Sequence, residues 1–286
     1  MADSRVGSNI KFRRRIRLWV SYVLLTAGAA TMIIPFLWML STALKESADV
    51  FTFPPQWIPD PVKWENFSEA WNALPVPFSR FYFNSVFVSF TVTLGQILTS
   101  SLAAFAFARL RFPGRDKIFF LYLSTLMIPG VVTMIPNFIL INLLGLKNTF
   151  AGLILPAVFT AYGTFMLRQF FMTLPRDLED AARIDGCSFL GIYWRVTLPL
   201  SKPALATLTT FTFIGVWKDF LWPLIIIDSP RKMTLPIALS HFQGIYTTDW
   251  TLLMAASLFV MAPLVIVFLL GQRYFVEGIS LTGLKG

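Results

Sequence analysis

The sequence predicts an all-α membrane protein of six transmembrane helices, and three observations carry that prediction. Hydrophobic residues fill 56% of the 286 positions and charged residues only 14%, with a mean hydropathy of +0.66. A soluble domain carries about a quarter charged residues. Uncharged runs of roughly the 20 apolar residues that cross a bilayer occur at 18–44, 81–108, 118–146, 148–167 and 250–272, and a sixth, 203–227, is interrupted only by Lys218 and Asp219. The 24 Lys and Arg are also unevenly placed. Seventeen fall in the N-terminal tail, in 109–117, in 168–202 and at Arg273 and Lys285. Because cytoplasmic loops retain positive charge on insertion, those segments and both termini are expected in the cytoplasm. The expected organisation is a basic tail 1–17, a six-helix domain 18–275 containing a cytoplasmic loop 174–203, and a C-terminal tail 276–286.

The first run is read as an uncleaved span, since it is too long for a signal peptide and lacks a small-residue cleavage pattern before Lys45. The outer segment 45–80 that follows holds Pro54, Pro55, Pro59, Pro61, Pro75 and Pro77 with Trp57, Trp64 and Trp71. Proline stiffens such a loop and tryptophan anchors it at the interface. Its polar stretches around Trp64-Glu65-Asn66 and Glu69 to Asn72 predict a short surface helix. The connector 109–117 turns on Pro113-Gly114. The third run is broken by Pro129-Gly130 and Pro136, which predicts a kink or a partly re-entrant path.

Composition also excludes functions. Cys187 is the sole cysteine, so neither an intrachain disulfide nor a thiolate cluster can form, and the single His241 has no matching ligands for a metal. The net charge of +9 needs no nucleic acid, because topology and anionic lipid headgroups account for it. No Gly-x-x-x-x-Gly-Lys-Ser/Thr loop is present to cradle nucleotide phosphates. An intramembrane serine protease would need a histidine within a span, and a proton-coupled carrier or channel would want carboxylates spread through several spans. Asp219 is nearly alone there.

The loop 174–203 is the most informative segment. Pro175 suits a first helical turn, Glu179 and Asp180 lie near the positive end of that helix's dipole, and Asp185-Gly186 supplies a stop with a residue able to turn left-handed. A second helix is expected at 188–198, presenting Phe189, Ile192, Tyr193 and Val196 as apolar knobs for a groove on another protein, with Pro199 ending it. The pattern Asp180-Ala181-Ala182, Gly186, Tyr193, Pro199 and Pro203 resembles the EAA loop of permease subunits of ATP-binding-cassette importers, in the maltose-type sugar group. Residues 217–223 and 271–286 look like that group as well.

The resemblance implies a type I importer fold, a five-helix core plus an N-terminal helix, in a bacterial or archaeal inner membrane. It implies a second, non-identical permease, two ATP-binding subunits that hold ATP and Mg, an external substrate-binding protein, and a carbohydrate or polyol cargo. The chain itself would bind no cofactor. Coupling would pass through Glu179, Asp180, Ala181, Ala182, Asp185, Gly186, Phe189 and Leu190. The family's glutamate position holds Asp180, with Glu179 just before it, so either carboxylate could reach the partner. For the substrate pathway the candidates are Trp217, Lys218, Asp219, Trp222, Asn84, Asn137 and Tyr162. Intramembrane charges are costly and indole faces stack on sugars, yet the same residues could serve as bonds between helices.

Overall fold

Proline with glycine breaks the third apolar run, and the charged pair Lys218-Asp219 stands where the sixth becomes two helices. The computed structural model describes the backbone of residues 3–244 and 248–282 and the side chains of residues 15–244 and 248–273. Its helices are α1 (Asp3–Ala43), α2 (Glu65–Asn72), α3 (Phe78–Arg109), α4 (Arg115–Ser124), α5 (Gly130–Leu143), α6 (Phe150–Ala157) and α7 (Ala161–Thr173). There follow α8 (Asp177–Ile184), α9 (Phe189–Ile192), α10 (Leu198–Leu200), α11 (Lys202–Trp217), α12 (Leu221–Ile226), α13 (Leu235–Ser240) and α14 (Trp250–Thr282). Among the described residues there is no strand beyond an isolated bridge between Gln243 and Thr248.

Among the described residues three helices are long and apolar enough to cross a membrane: residues Arg15–Ala43 of α1, α3, and residues Trp250–Arg273 of α14. Two bent pairs bring the number to five if each pair counts as one span. The third run folds as Arg115–Met127 and Gly130–Leu143 meeting at 100°. Pro129 disfavours helix at Ile128, whose ψ of 115° is extended. The fourth run bends by 42° between α6 and α7. Thr149 and Thr160 cap these helices, their hydroxyls accepting from the Gly152 and Gly163 amides at 3.1 and 3.4 Å. The sixth run is not continuous: α11 stops at Trp217, and α12 begins only at Leu221. At the N-terminus no backbone break separates the expected tail from the first span, because α1 starts at Asp3. In the expected C-terminal tail the backbone is helical through Thr282, and residues 283–286 lie outside the described residues.

The chain divides into two units, residues 1–73 with 242–258 and residues 74–241 with 259–286. In the first unit the end of α1 is tied to the segment that follows it. The Asn66 side-chain amide donates to the carbonyls of Ala43 and Lys45 at 2.9 and 2.8 Å, and the Ser41 hydroxyl donates to Trp57 at 2.7 Å. Lys45 is buried with its ammonium 4.2 Å from the centre of the Trp38 ring. Burial lowers its pKa, with Asp49 acting in the opposite direction. The predicted surface helix is α2.

In the second unit α3 is the central element, with α7 and α11 against it. Gly163 permits their approach, since a Cβ there would lie 2.7 Å from Ser100 Oγ on α3 and 3.2 Å from Leu208 on α11. One apolar cluster joins Val88 and Val92 of α3 to Ile141, Leu153 and Ile226. A second holds the polar loop, and positions the site described next.

Candidate functional site

The polar loop is built with one face clamped and the other open. α8 starts after Pro175 with Asp177, Glu179 and Asp180 in its first turn, where carboxylates favour the helix dipole. It ends in a Schellman arrangement: the Cys187 amide donates to Ala182 at 2.9 Å and the Gly186 amide to Arg183 at 3.0 Å, with Gly186 at φ +80°. Ser188 caps α9, its hydroxyl accepting from the Gly191 amide at 3.2 Å.

The expected second helix runs further than the sequence suggested. Tyr193–Thr197 form a π-helical turn, and Leu198–Leu200 are helical, so Pro199 does not end the segment. The Leu198 amide reaches back five residues to the Tyr193 carbonyl. That widened turn accommodates a proline, which lacks the amide an α-helical ladder would need.

Ala182, Ile192 and Tyr193 are buried with Ala104, Phe105 and Ala108 of α3, Leu167 and Phe171 of α7, and Ala204 and Leu208 of α11. The Tyr193 and Ser101 hydroxyls lie 2.7 Å apart. Glu179 Oε1 is 2.7 Å from Arg109 Nε, with the two side chains 7% and 3% exposed respectively. The Arg109 guanidinium also donates to the Leu174 carbonyl at 2.8 Å. Three of the four expected knobs, Ile192, Tyr193 and Val196, therefore pack inward, and Phe189 alone of the four is exposed. The sequence reading missed Arg109 as the partner of Glu179. Nothing local singles Arg109 out from Arg111, Arg115 and Lys117, because the pairing spans 70 positions.

The open face carries Asp180, Ala181, Asp185, Gly186, Phe189 and Leu190, all exposed, together with Ile184, which is 88% exposed and was not among the expected contacts. Asp180 reaches Arg183 only at 3.6 Å, on a surface where such pairs contribute little. The Arg183 guanidinium lies 5.2 Å from the Phe189 ring. A cleft of about 390 Å³ opens beside them, lined by Arg109, Arg111, Arg176, Glu179, Asp180 and Phe189 among others. Of the two carboxylates the sequence left open, Glu179 is engaged inside the protein and Asp180 is free to meet another surface.

The substrate-pathway candidates do not converge. Trp217 is 1% exposed, stacks on Phe213 with centroids 5.5 Å apart, and donates its indole N–H to Val260 at 3.0 Å. It presents no free face to a sugar, and packing against α14 is the reason. Asn84 is fully buried and donates to the carbonyls of Arg231 and Met233 at 3.0 and 2.8 Å, fastening that segment to α3. Tyr162 and Lys218 are exposed and Asn137 is half-buried.

Asp219 and Trp222 share a cavity of about 40 Å³ with Ser85, Ser89 and Thr234. That is water-sized. Asp219 Oδ1 accepts from the Trp222 amide at 3.3 Å, and the Trp222 indole donates to the Gly152 carbonyl at 3.3 Å. Lys218 and Asp219 thus occupy a helix break rather than the middle of a span. His241 Nδ1 lies 2.9 Å from the Ile237 carbonyl, and no metal-binding group of three side chains occurs among the described residues.

A helical membrane protein with an exposed polar loop packed against its central helices is the class that this fold and site define. The chain belongs to the family of binding-protein-dependent transport system inner membrane components, which matches residues 96–281. It is 37% identical over 267 residues to the sn-glycerol-3-phosphate transport system permease protein UgpE of Yersinia enterocolitica, covering 90% of this chain and 94% of that protein. It is 34% identical over 274 residues to the arabinooligosaccharides transport system permease protein AraQ of Bacillus subtilis, covering 95% and 96%. A solved bacterial ABC transporter involved in the import of the acidic polysaccharide alginate contains a chain of the same fold, at a TM-score of 0.82, 24% identity, and coverage of 91% of this chain and 97% of that one. The protein is accordingly a multi-pass permease subunit of an ABC importer, a transport subunit and not an enzyme.

Proposed function

We propose that this chain forms one half of a carbohydrate or polyol import channel, with a second, different permease as the other half, and that ATP held by two partner subunits drives it through α8 and α9. Both termini and the loop 174–203 face the cytoplasm in this reading, and an external binding protein delivers cargo from the opposite side. The observation that carries it is the two-sided construction of the loop. Its inner face is fixed to α3, α7 and α11 by Tyr193, Ile192 and the Glu179–Arg109 pair, while Asp180, Ile184, Phe189 and Leu190 stand free. A push on the free face would therefore be transmitted to three membrane helices as rigid-body motion. Relatives whose names specify glycerol phosphate and arabinooligosaccharides support a polyhydroxylated cargo.

The test uses a partner-retention assay. Replacing Phe189 and Leu190 together by Asp removes two exposed apolar contacts without touching the inner face. The ATP-binding subunits should then be lost on purification while the two permeases stay together. Full retention of those subunits, with uptake at the unmodified level, would refute the reading.

A further inference from the structure

The connector between α3 and α4 sorts its cations into two sets. Arg109 is held by Glu179, and Arg115 pairs with Asp116 through contacts of 3.0 and 3.2 Å while donating to the Leu110 carbonyl at 3.3 Å. Arg168 of α7 donates to the Phe107 carbonyl at 3.3 Å, lies 3.7 Å from Asp116, and covers the Phe119 ring at 4.1 Å. These cations are occupied. Arg111, Lys117 and Arg176 are different: all three are exposed, and none has an ion-pair or hydrogen-bond partner for its side chain among the described residues. They converge on one open cleft of about 660 Å³, which Phe112, Gly114, Arg115 and Asp116 complete. Asp116 is the only acid lining it, and Arg115 and Arg168 already offset its charge.

We propose that this cleft binds the phosphate of an anionic lipid headgroup from the cytoplasmic leaflet. Three unpaired cations around one opening match a phosphate's several acceptor oxygens, and Arg adds a planar, bidentate fork. What favours a lipid over a soluble phosphate is the neighbouring surface. Phe112, Ile118, Phe120 and Leu121 are all exposed on the same connector and first turns of α4, at 37%, 50%, 75% and 70%. An acyl chain would cover these side chains, whereas a free anion would leave them in water. Arg176 also immediately precedes α8, so a bound headgroup would hold the start of the coupling loop at the membrane surface. The inference rests on the orientation given under the proposed function.

The experiment exposes the purified, fully assembled transporter to an equal mixture of phosphatidylcholine and phosphatidylglycerol and counts retained lipids by native mass spectrometry. The double variant Arg111→Gln with Lys117→Gln should lose phosphatidylglycerol by about five-fold for each cation removed, the equivalent of about 1 kcal/mol per cation near an anionic surface. Arg195→Gln removes an exposed charge of the loop 174–203 outside the cleft and should leave retention unchanged. Equal retention in the double variant, or equal loss in the Arg195 control, would overturn the proposal. So would displacement of the lipid by millimolar inorganic phosphate, which would make the ligand a soluble anion. A photocrosslinker at position 117 that captured an ATP-binding subunit instead of lipid would overturn it as well. Co-purification of the ATP-binding subunits with the double variant would keep the proposed function standing in any of these cases.

Discussion

The polar loop 174–203 and the polar break at 218–220 are both interruptions between apolar helices, yet they dispose of their charged groups in opposite ways. In the loop, one carboxylate is committed inward and its neighbour is left outward, so adjacent residues Glu179 and Asp180 do different jobs. At the break, Asp219 turns back on its own chain to cap α12, and the aromatic side chains on either side of it donate to backbone carbonyls. Free polar atoms in an apolar medium are expensive, which explains the second arrangement. The first is affordable only at a water-facing surface, and that is where a partner can dock. The lesson is that a charge within a hydrophobic run marks a structural break here, while a charge beside a buried ion pair marks a surface available to others.

The largest expected effect comes from breaking the clamp. Glu179→Ala leaves Arg109 buried without its carboxylate, and removing one member of a buried pair costs about 3–5 kcal/mol. Thermal unfolding of the purified permease pair should show a large loss, and Arg109→Met combined with Glu179→Leu should recover most of it. If the double replacement is as unstable as the single ones, the ion pair is not what anchors the loop.

A smaller effect is expected at the stop between the two helices. Gly186 has φ +80° and open space around the position a Cβ would take, so the cost of substitution is conformational and not steric. Gly186→Val should cost about 1–2 kcal/mol and reduce ATP-driven uptake, whereas Gly186→Asn, which tolerates the left-handed region, should stay near the unmodified level. Equal impairment by both would point to a crowded site, against the geometry.

Much of this was legible in the sequence, for identifiable reasons. The helix stop at Gly186, the turn at Gly114 and the break at Pro129 follow from local backbone chemistry, which short stretches of sequence encode. The spacing of Asp180-Ala181-Ala182 and Gly186 located the loop. What could not be read were contacts between residues far apart in the chain. Arg109 and Glu179 are separated by 70 positions, and Ser101 and Tyr193 by 92, so no local pattern predicts that either pair meets. For Trp217 the sequence left a sugar platform and a structural role both open, and the choice depends on burial against α14, a helix that begins 33 residues later. The same limit applies to Pro199, whose accommodation depends on the π-turn before it.

The finest test of the contrast lies at Asp219. Its carboxylate accepts from the Trp222 amide, and loss of a helix cap costs about 1 kcal/mol, so Asp219→Ala should lower thermal stability by about that amount. Asn also caps, so Asp219→Asn should preserve stability and isolate the charge. If the residue serves only the helix break, uptake by the Asn variant should match the unmodified transporter. If the charge also meets cargo, uptake should fall in Asp219→Asn with assembly and stability intact. The cavity beside Asp219 holds about 40 Å³, too little for a sugar ring, which favours the first outcome. A selective loss of uptake in the Asn variant would show that this cavity widens in the working cycle, and would move the break at 218–220 from scaffold to channel.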